Sequence, residues 1–259
     1  MTVMPETVVL ERQNAVARIS IARTESGNAL RGDDVLLLGR HFRNCLTDPN
    51  TRVIVITGQG TKFFCTGGDI SELSGNLADI GVHIAKWHEL LDLMEASVKP
   101  VIAAINGIAV GGGLELALAC HQRFAAKTAR VGLPELNVGL FPAAGGIRRL
   151  TRLIGRAKTL RLVLSADMPA AEVAERLGIV DQVCDAANLQ SVVQTVADRY
   201  SALEPNAVRA TLTIAHHAAR GTDTNELETS LLRECYATPR NREILSNFMS
   251  RQKARADKS

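Results

Sequence analysis

Residues 99–146 read KPVIAAINGIAVGGGLELALACHQRFAAKTARVGLPELNVGLFPAAGG, and the rest of the chain is organised around this stretch. It opens with an apolar run, Val101 to Ile105. It passes through Asn106-Gly107 to a second apolar step and reaches three consecutive glycines, Gly111, Gly112 and Gly113. A helix-like run carrying Glu115 follows at once, and Glu135 sits twenty positions on in a Leu-Pro-Glu turn. A glycine-rich turn before a helix leaves backbone N–H groups without intrahelical partners and lets a ligand approach the main chain. Two carboxylates beside such a turn supply acid/base chemistry.

An earlier segment, Val53 to Asp69, follows the same plan. Each copy has a buried strand, a glycine-containing linker, adjacent glycines, an acidic residue and a helical run. Two such units side by side can each aim one backbone N–H at a shared point, which is how a repeated strand–turn–helix element builds a two-donor oxyanion hole. The plainer reading of Gly111 to Gly113 is tight packing of a helix on a strand. Glycine costs a helix roughly 1 kcal/mol per position relative to alanine, so a compensating ligand contact is the sharper reading. For Glu115 the plain reading is a charge favoured at a helix N-terminus. Its neighbours Leu114, Leu116, Ala117 and Leu118 instead point to a desolvated carboxylate, which can titrate near neutral pH.

Competing chemistries lack their residues. A dinucleotide site needs G-x-G-x-x-G and an acidic group about 20 residues later. Glu135 meets the spacing, but the third glycine position is Leu116. A serine triad lacks its G-x-S-x-G elbow and a P-loop its Gly-Lys-Ser/Thr end. His83 and His88 are five apart, and His216-His217 are adjacent, so neither pair shares a helix face for a metal. Cys65 and Cys120 read as small core residues. Asp69 reads as a helix cap behind Gly68. Arg148, Arg152 and Arg156 fall on one helical face, read as solvated or as a subunit contact, with a ligand phosphate as the sharper alternative.

The 259 residues suit one large domain or one with an appendage, and 46% apolar with 22% charged residues fits an ordinary globular protein. Aromatics at 3% offer little for stacking nucleic-acid bases, and a formal charge of +3 implies no nucleic-acid partner. Five irregularly spaced cysteines without a C-x-x-C suggest neither zinc nor a disulfide framework, and hence a reducing compartment. Neither a signal peptide nor a membrane span is legible, so the chain is expected to be cytoplasmic. The expected elements are strands at 8–10, 16–21, 53–57, 101–105 and 179–183. Helices are expected after an Asp33 or Asp34 cap, over 80–94 and over 169–177, with three or four more from residue 188 onward. A boundary near residue 200 divides an α/β core, 1–200, from a helical part, 201–259.

The segments SGNAL (26–30), FFCTGGDI (63–70), KPVIAAINGIAVGGGLELALAC (99–120) and VGLPELNVGLFPAAGGIRRL (131–150) resemble the enoyl-CoA hydratase/isomerase (crotonase) family, with a weaker match over 164–183. The resemblance implies a spiral of ββα repeats with a helical C-terminal trimerisation region, assembled as a homotrimer or homohexamer. It implies an acyl-CoA substrate, no metal, and no cofactor besides the coenzyme A of the substrate. The Gly68 and Gly112 N–H groups would hold the thioester carbonyl. Ser26, Gly67, Gly68, Asp69, Ile70 and Gly112 would contact the substrate, and Glu115 and Glu135 match the two catalytic glutamates of the hydratases. The implied reaction is water addition to a trans-2-enoyl-CoA. The runner-up is Δ3-Δ2-enoyl-CoA isomerisation or another acyl-CoA reaction of the family, and a non-catalytic acyl-CoA binder is the alternative of another class. The chain departs from the family pattern at Glu25, His121 and Ala143, and the acyl pocket is expected from 73–91 and Phe141.

Overall fold

Two stacked sets of parallel strands carry the architecture. A computed structural model describes residues 6–73 and 77–256, with the backbone alone at 70, 73, 77–79 and 252–256. The chain divides into two compact units, Met1–Ser201 and Ala202–Ser259.

In the first unit, β1 (Val8–Gln13) and β2 (Val16–Ile21) form an antiparallel hairpin, and α1 (Gly32–Thr47) follows. Then come β3 (Val53–Gly58), β4 (Phe63–Cys65) and α2 (Leu77–Glu95). The next group is β5 (Val101–Ile105), β6 (Ile108–Val110) and α3 (Gly112–Leu118). After these come β7 (Gln122–Ala126) and β8 (Val131–Gly132), then α4 (Gly146–Ile154), α5 (Arg156–Ser165), α6 (Ala171–Leu177), β9 (Gln182–Cys184) and α7 (Leu189–Ser201). The large sheet has the order β1-β2-β3-β5-β7-β9 and the small one β4-β6-β8. Beyond the hairpin these strands all pair in parallel.

The repeat read in the sequence is real in space. β3 pairs with β5 and β4 with β6, so the second strand–strand–helix layer lies on the first in both sheets. A third layer, β7 and β8 followed by a 3₁₀ turn at Glu135–Val138, continues the stack. Strands β3 and β5 are buried throughout, as parallel strands covered on both faces require. Their alternate residues divide accordingly. Ile54, Ile56, Ala103 and Ile105 join the main core with Phe42, Leu91 and Met94. Val53, Val55, Ile102 and Ala104 face Leu189, Val193 and Ala197 of α7.

Four expectations change. Asp34 is the third residue of α1 and reaches back: its Oδ2 accepts the Arg31 N–H at 2.9 Å, so Arg31 occupies the cap position. The arginine face is interrupted, because Gly155 at φ 82° ends α4 and Arg156 begins α5. Arg148, Arg149 and Arg152 pair with Asp92 and Glu95 of α2, and Arg149 is buried. The last strand starts at Gln182, because Ile179 and Val180 are buried in the turn behind α6. That helix begins at Ala171, not Pro169, and stops at Gly178 as expected.

The second unit contains α8 (Pro205–Ala218), α9 (Asn225–Ala237) and α10 (Pro239–Ala256). Glu204 caps α8, accepting the N–H groups of Asn206 and Ala207. Among the described residues no helix is long and apolar enough to cross a membrane.

Candidate active site

The two glycine turns meet. A Cβ added to Gly67 would lie 2.8 Å from the Gly112 nitrogen, and one added to Gly112 would lie 3.2 Å from the Gly67 Cα. Neighbouring peptides are tied down. Leu30 N–H donates to the Gly67 carbonyl at 2.8 Å, and Asp69 N–H donates to the Leu30 carbonyl at 2.9 Å. On the other turn, Gly111 N–H donates to Gly132 O at 3.0 Å. Gly112 is the first residue of α3, where an N–H has no intrahelical partner. Among the described residues, neither the Gly68 nor the Gly112 N–H finds a protein acceptor. Two free donors on adjoining turns suit an oxygen that gains negative charge.

The glycine triplet also has the packing role that the plain reading gave it. Gly111 adopts φ 56°, ψ −131°, a conformation open to glycine. A Cβ on Gly113 would stand 1.9 Å from the Cys65 carbonyl oxygen, so α3 seats directly on β4. Cys65 and Cys120 are core thiols, and burial pushes both up to about 12, outside nucleophile range.

Glu115 lies in the first turn of α3 at 3% exposure. Its Oε1 accepts the Gly146 N–H at 2.7 Å. Burial, with a smaller push from the Glu135 charge and opposed by that hydrogen bond, raises its carboxyl to about 7. Glu135 begins its own 3₁₀ turn and is half-buried, and burial raises its carboxyl too. Its Oε1 would be 3.3 Å from a Cβ on Gly111, while its Oε2 is buried and has no hydrogen-bond partner among the described residues. The second and third layers thus bring together two carboxyls that titrate above the ordinary range, beside the glycine pair.

The remaining expected contacts are placed as follows. Ser26 is exposed on a 3₁₀ turn. The Asp69 carboxylate accepts from the Ser71 hydroxyl at 2.7 Å and pairs with Arg23 at 3.0 Å, and these bonds hold it below the usual range. It also accepts the Ser71 N–H at 3.2 Å, so it caps the 3₁₀ turn Ile70–Leu73. The side chains of Ile70 and Leu73 lie outside the described residues, and Phe141 is exposed. Glu25 is exposed and Ala143 partly buried. His121 serves the fold, since its Nδ1 accepts the Val101 N–H at 2.9 Å and fastens the start of β5. Among the described residues no group of three His, Cys, Asp or Glu could hold a metal ion.

Two asparagines carry no signal in the sequence reading. Asn28, buried at φ 56°, donates to the carbonyls of Gln59 and Phe63. Asn106 donates to Gly60 O and Phe63 O and accepts the Gly58 N–H. Both brace the loop that carries the first glycine turn. His83 and Trp87 of α2 also stand at the glycines, although the sequence marked only a histidine spacing and a helix over 80–94.

Comparisons with known proteins agree with this geometry. The enoyl-CoA hydratase/isomerase family model matches residues 11–257. A crotonyl-CoA hydratase of Syntrophomonas wolfei is 34% identical over 254 residues, covering 96% of this chain and 97% of the relative. A short-chain-enoyl-CoA hydratase of Clostridium acetobutylicum is 31% identical over 252 residues, 95% of each chain. The crystal structure of an enoyl-CoA hydratase from Bacillus anthracis superposes with a TM-score of 0.91 at 30% identity, covering 95% of this chain and 97% of that one. The spiral is therefore the crotonase fold. With the family model spanning residues 11–257 and the fold superposing over 95% of the chain, this chain belongs to the enoyl-CoA hydratase/isomerase family.

Proposed function

We propose that the protein is an enoyl-CoA hydratase, a hydro-lyase that reversibly adds water to a trans-2-enoyl-CoA to give a 3-hydroxyacyl-CoA. The observation that carries this reading is the pair of raised carboxyls, Glu115 and Glu135, beside two free glycine N–H groups. The thioester oxygen accepts from Gly68 N–H and Gly112 N–H, and these donors stabilise the enolate-like charge that develops there. Glu115 and Glu135 hold one water. Glu115 takes its proton as the oxygen adds to C3, and Glu135 delivers a proton to C2. Glu115, raised to about 7, titrates near neutral pH, and burial raises Glu135 as well, which suits carboxyls that exchange protons. The water supplies both the hydroxyl and, through the carboxyls, the hydrogen, so no oxidant or metal enters the balance. Coenzyme A arrives with the substrate, and Ser26, Gly67 and the Asp69–Ile70 turn are the proposed contacts around it.

The names of the relatives support a short-chain substrate, and a role in fatty-acid or related acyl-CoA breakdown is part of the same proposal. The helical unit is the proposed trimerisation region of a homotrimer or homohexamer, since Leu232, Tyr236, Ile244 and Phe248 expose apolar surface there. The five free thiols fit a reducing compartment such as the cytoplasm. Steady-state hydration of crotonyl-CoA tests the activity against isomerisation of a 3-enoyl-CoA. Hydration should dominate. Binding without turnover of either thioester, or isomerisation alone, would overturn the assignment.

A further inference from the structure

His83 and Trp87 have no part in the chemistry above, yet Trp87 borders both glycines and His83 borders Gly68. They lie one turn apart on α2 and so share a face. Trp87 is 2% exposed. The far edge of its indole, Cη2 and Cζ3, lies 3.1 and 3.3 Å from where a Gly112 Cβ would stand. Its Nε1 lies 3.8 Å from the Cβ position of Gly68, and His83 Nε2 is 3.2 Å from that same point. One rigid ring therefore touches both turns.

The two donors come from different layers of the spiral, and each turn is fastened within its own surroundings. A two-donor site works only when both N–H groups reach one oxygen, about 2.7–3.1 Å from each. A displacement of about 1 Å can cost on the order of 10²-fold in rate. A buried indole N–H needs an acceptor, and Trp87 Nε1 donates to His83 Nε2 at 3.2 Å. That bond fixes the tautomer: Nε2 is unprotonated and Nδ1 carries the hydrogen. Nδ1 lies 3.8 Å from Glu72 Oε2, which also accepts the Gly32 N–H at 2.7 Å. The imidazole is thus turned with its lone pair toward the tryptophan and its N–H toward a carboxylate.

We propose that Trp87 is a positioning residue that sets the spacing of the Gly68 and Gly112 donors, and that His83 holds the indole in place by accepting its N–H. The inference rests on the reading of those donors as the thioester site. Trp87 is the only tryptophan of the chain, so intrinsic tryptophan fluorescence reports this residue alone.

The test compares wild type, His83→Gln and His83→Leu by kcat and KM with crotonyl-CoA, and by Trp87 emission during titration with butyryl-CoA, a saturated thioester that cannot be hydrated. His83→Leu removes the acceptor and should lower kcat by about ten- to hundredfold, with KM changed by less than about threefold. His83→Gln places an amide oxygen near the Nε2 position and should recover most of the loss. Trp87→Phe, which keeps a ring but no N–H, should lose kcat as His83→Leu does. Butyryl-CoA should change the wild-type emission saturably, and free coenzyme A much less. The proposal is overturned if His83→Leu keeps kcat within about twofold, if glutamine does no better than leucine, or if saturating butyryl-CoA leaves the emission unmoved. A wild type that hydrates no enoyl-CoA defeats the hydratase assignment instead, and the fluorescence titration then still judges the placement of Trp87.

Discussion

Replacing Glu115 by glutamine should stabilise the folded chain at alkaline pH while removing hydration activity, and both effects come from one buried charge. In the unfolded chain this carboxyl ionises near the ordinary 4.5, and in the folded chain near 7. Between those values the folded state keeps a proton that the unfolded state has released, so wild-type stability falls as pH rises through that window, and the loss is complete above it. At about 1.4 kcal/mol per pH unit, the difference amounts to about 3 kcal/mol. Exposure of 3% leaves little solvent screening to reduce it. Glutamine cannot ionise, and its amide oxygen can still accept the Gly146 N–H that Oε1 now takes at 2.7 Å. Urea unfolding of both proteins at about pH 5 and about pH 8.5 isolates the effect, since every other titrating group is shared. The stability difference should move by about 3 kcal/mol in favour of the variant between the two conditions, or about 6–12 °C in Tm for a chain of this size. A difference that stays constant with pH would refute the claim that an ionised Glu115 is a cost to the fold.

Glu135→Gln should lower crotonyl-CoA hydration by on the order of 10²–10⁴-fold while calorimetric binding of butyryl-CoA persists, and a near-normal rate would remove its proposed role. Gly113→Ala should cost about 3 kcal/mol or more by denaturant melt, because the new methyl would stand 1.9 Å from the Cys65 carbonyl oxygen and α3 must lift from β4; a shift under about 1 kcal/mol would contradict that packing. Asn106→Ala strands the Gly58 N–H and the Gly60 carbonyl, while the Phe63 carbonyl keeps the Asn28 amide, and should cost about 2–4 kcal/mol by the same measurement. Unchanged stability there would mean that water replaces the side chain without loss.

What the sequence made legible is what has a local signature. Val53 to Gly58 and Val101 to Ile105 are apolar with scarcely a break, as parallel strands covered on both faces must be, and the glycine pairs behind them mark turns. Both glutamates stand out because carboxylates beside leucines and glycines are costly unless used. The third layer left almost no trace, since β8 is two residues long and is held by pairing to β6 rather than by its own pattern. Ile179 and Val180 looked like a strand because burial, not conformation, selects apolar residues. The arginines could not be assigned from helical spacing because their partners, Asp92 and Glu95, lie on α2 more than fifty residues away, and one glycine at 155 changes the axis. In sequence Trp87 falls within an expected helix and His83 in a spacing too wide for a metal; the fold alone carries them to Gly112 and Gly68.

The stacking of three similar layers divides labour along the spiral. The first two turns supply the proposed grip on the thioester, and the Glu135 carboxyl enters from the third, held by a separate short strand and a 3₁₀ turn. The proposed thioester donors and one of the proposed proton carriers thus come from different layers. On that reading, a change confined to residues 133–139 alters the proposed proton carrier and leaves the proposed carbonyl donors in place. In such a scaffold new reactions can arise by editing one storey while the floors beneath keep their purpose.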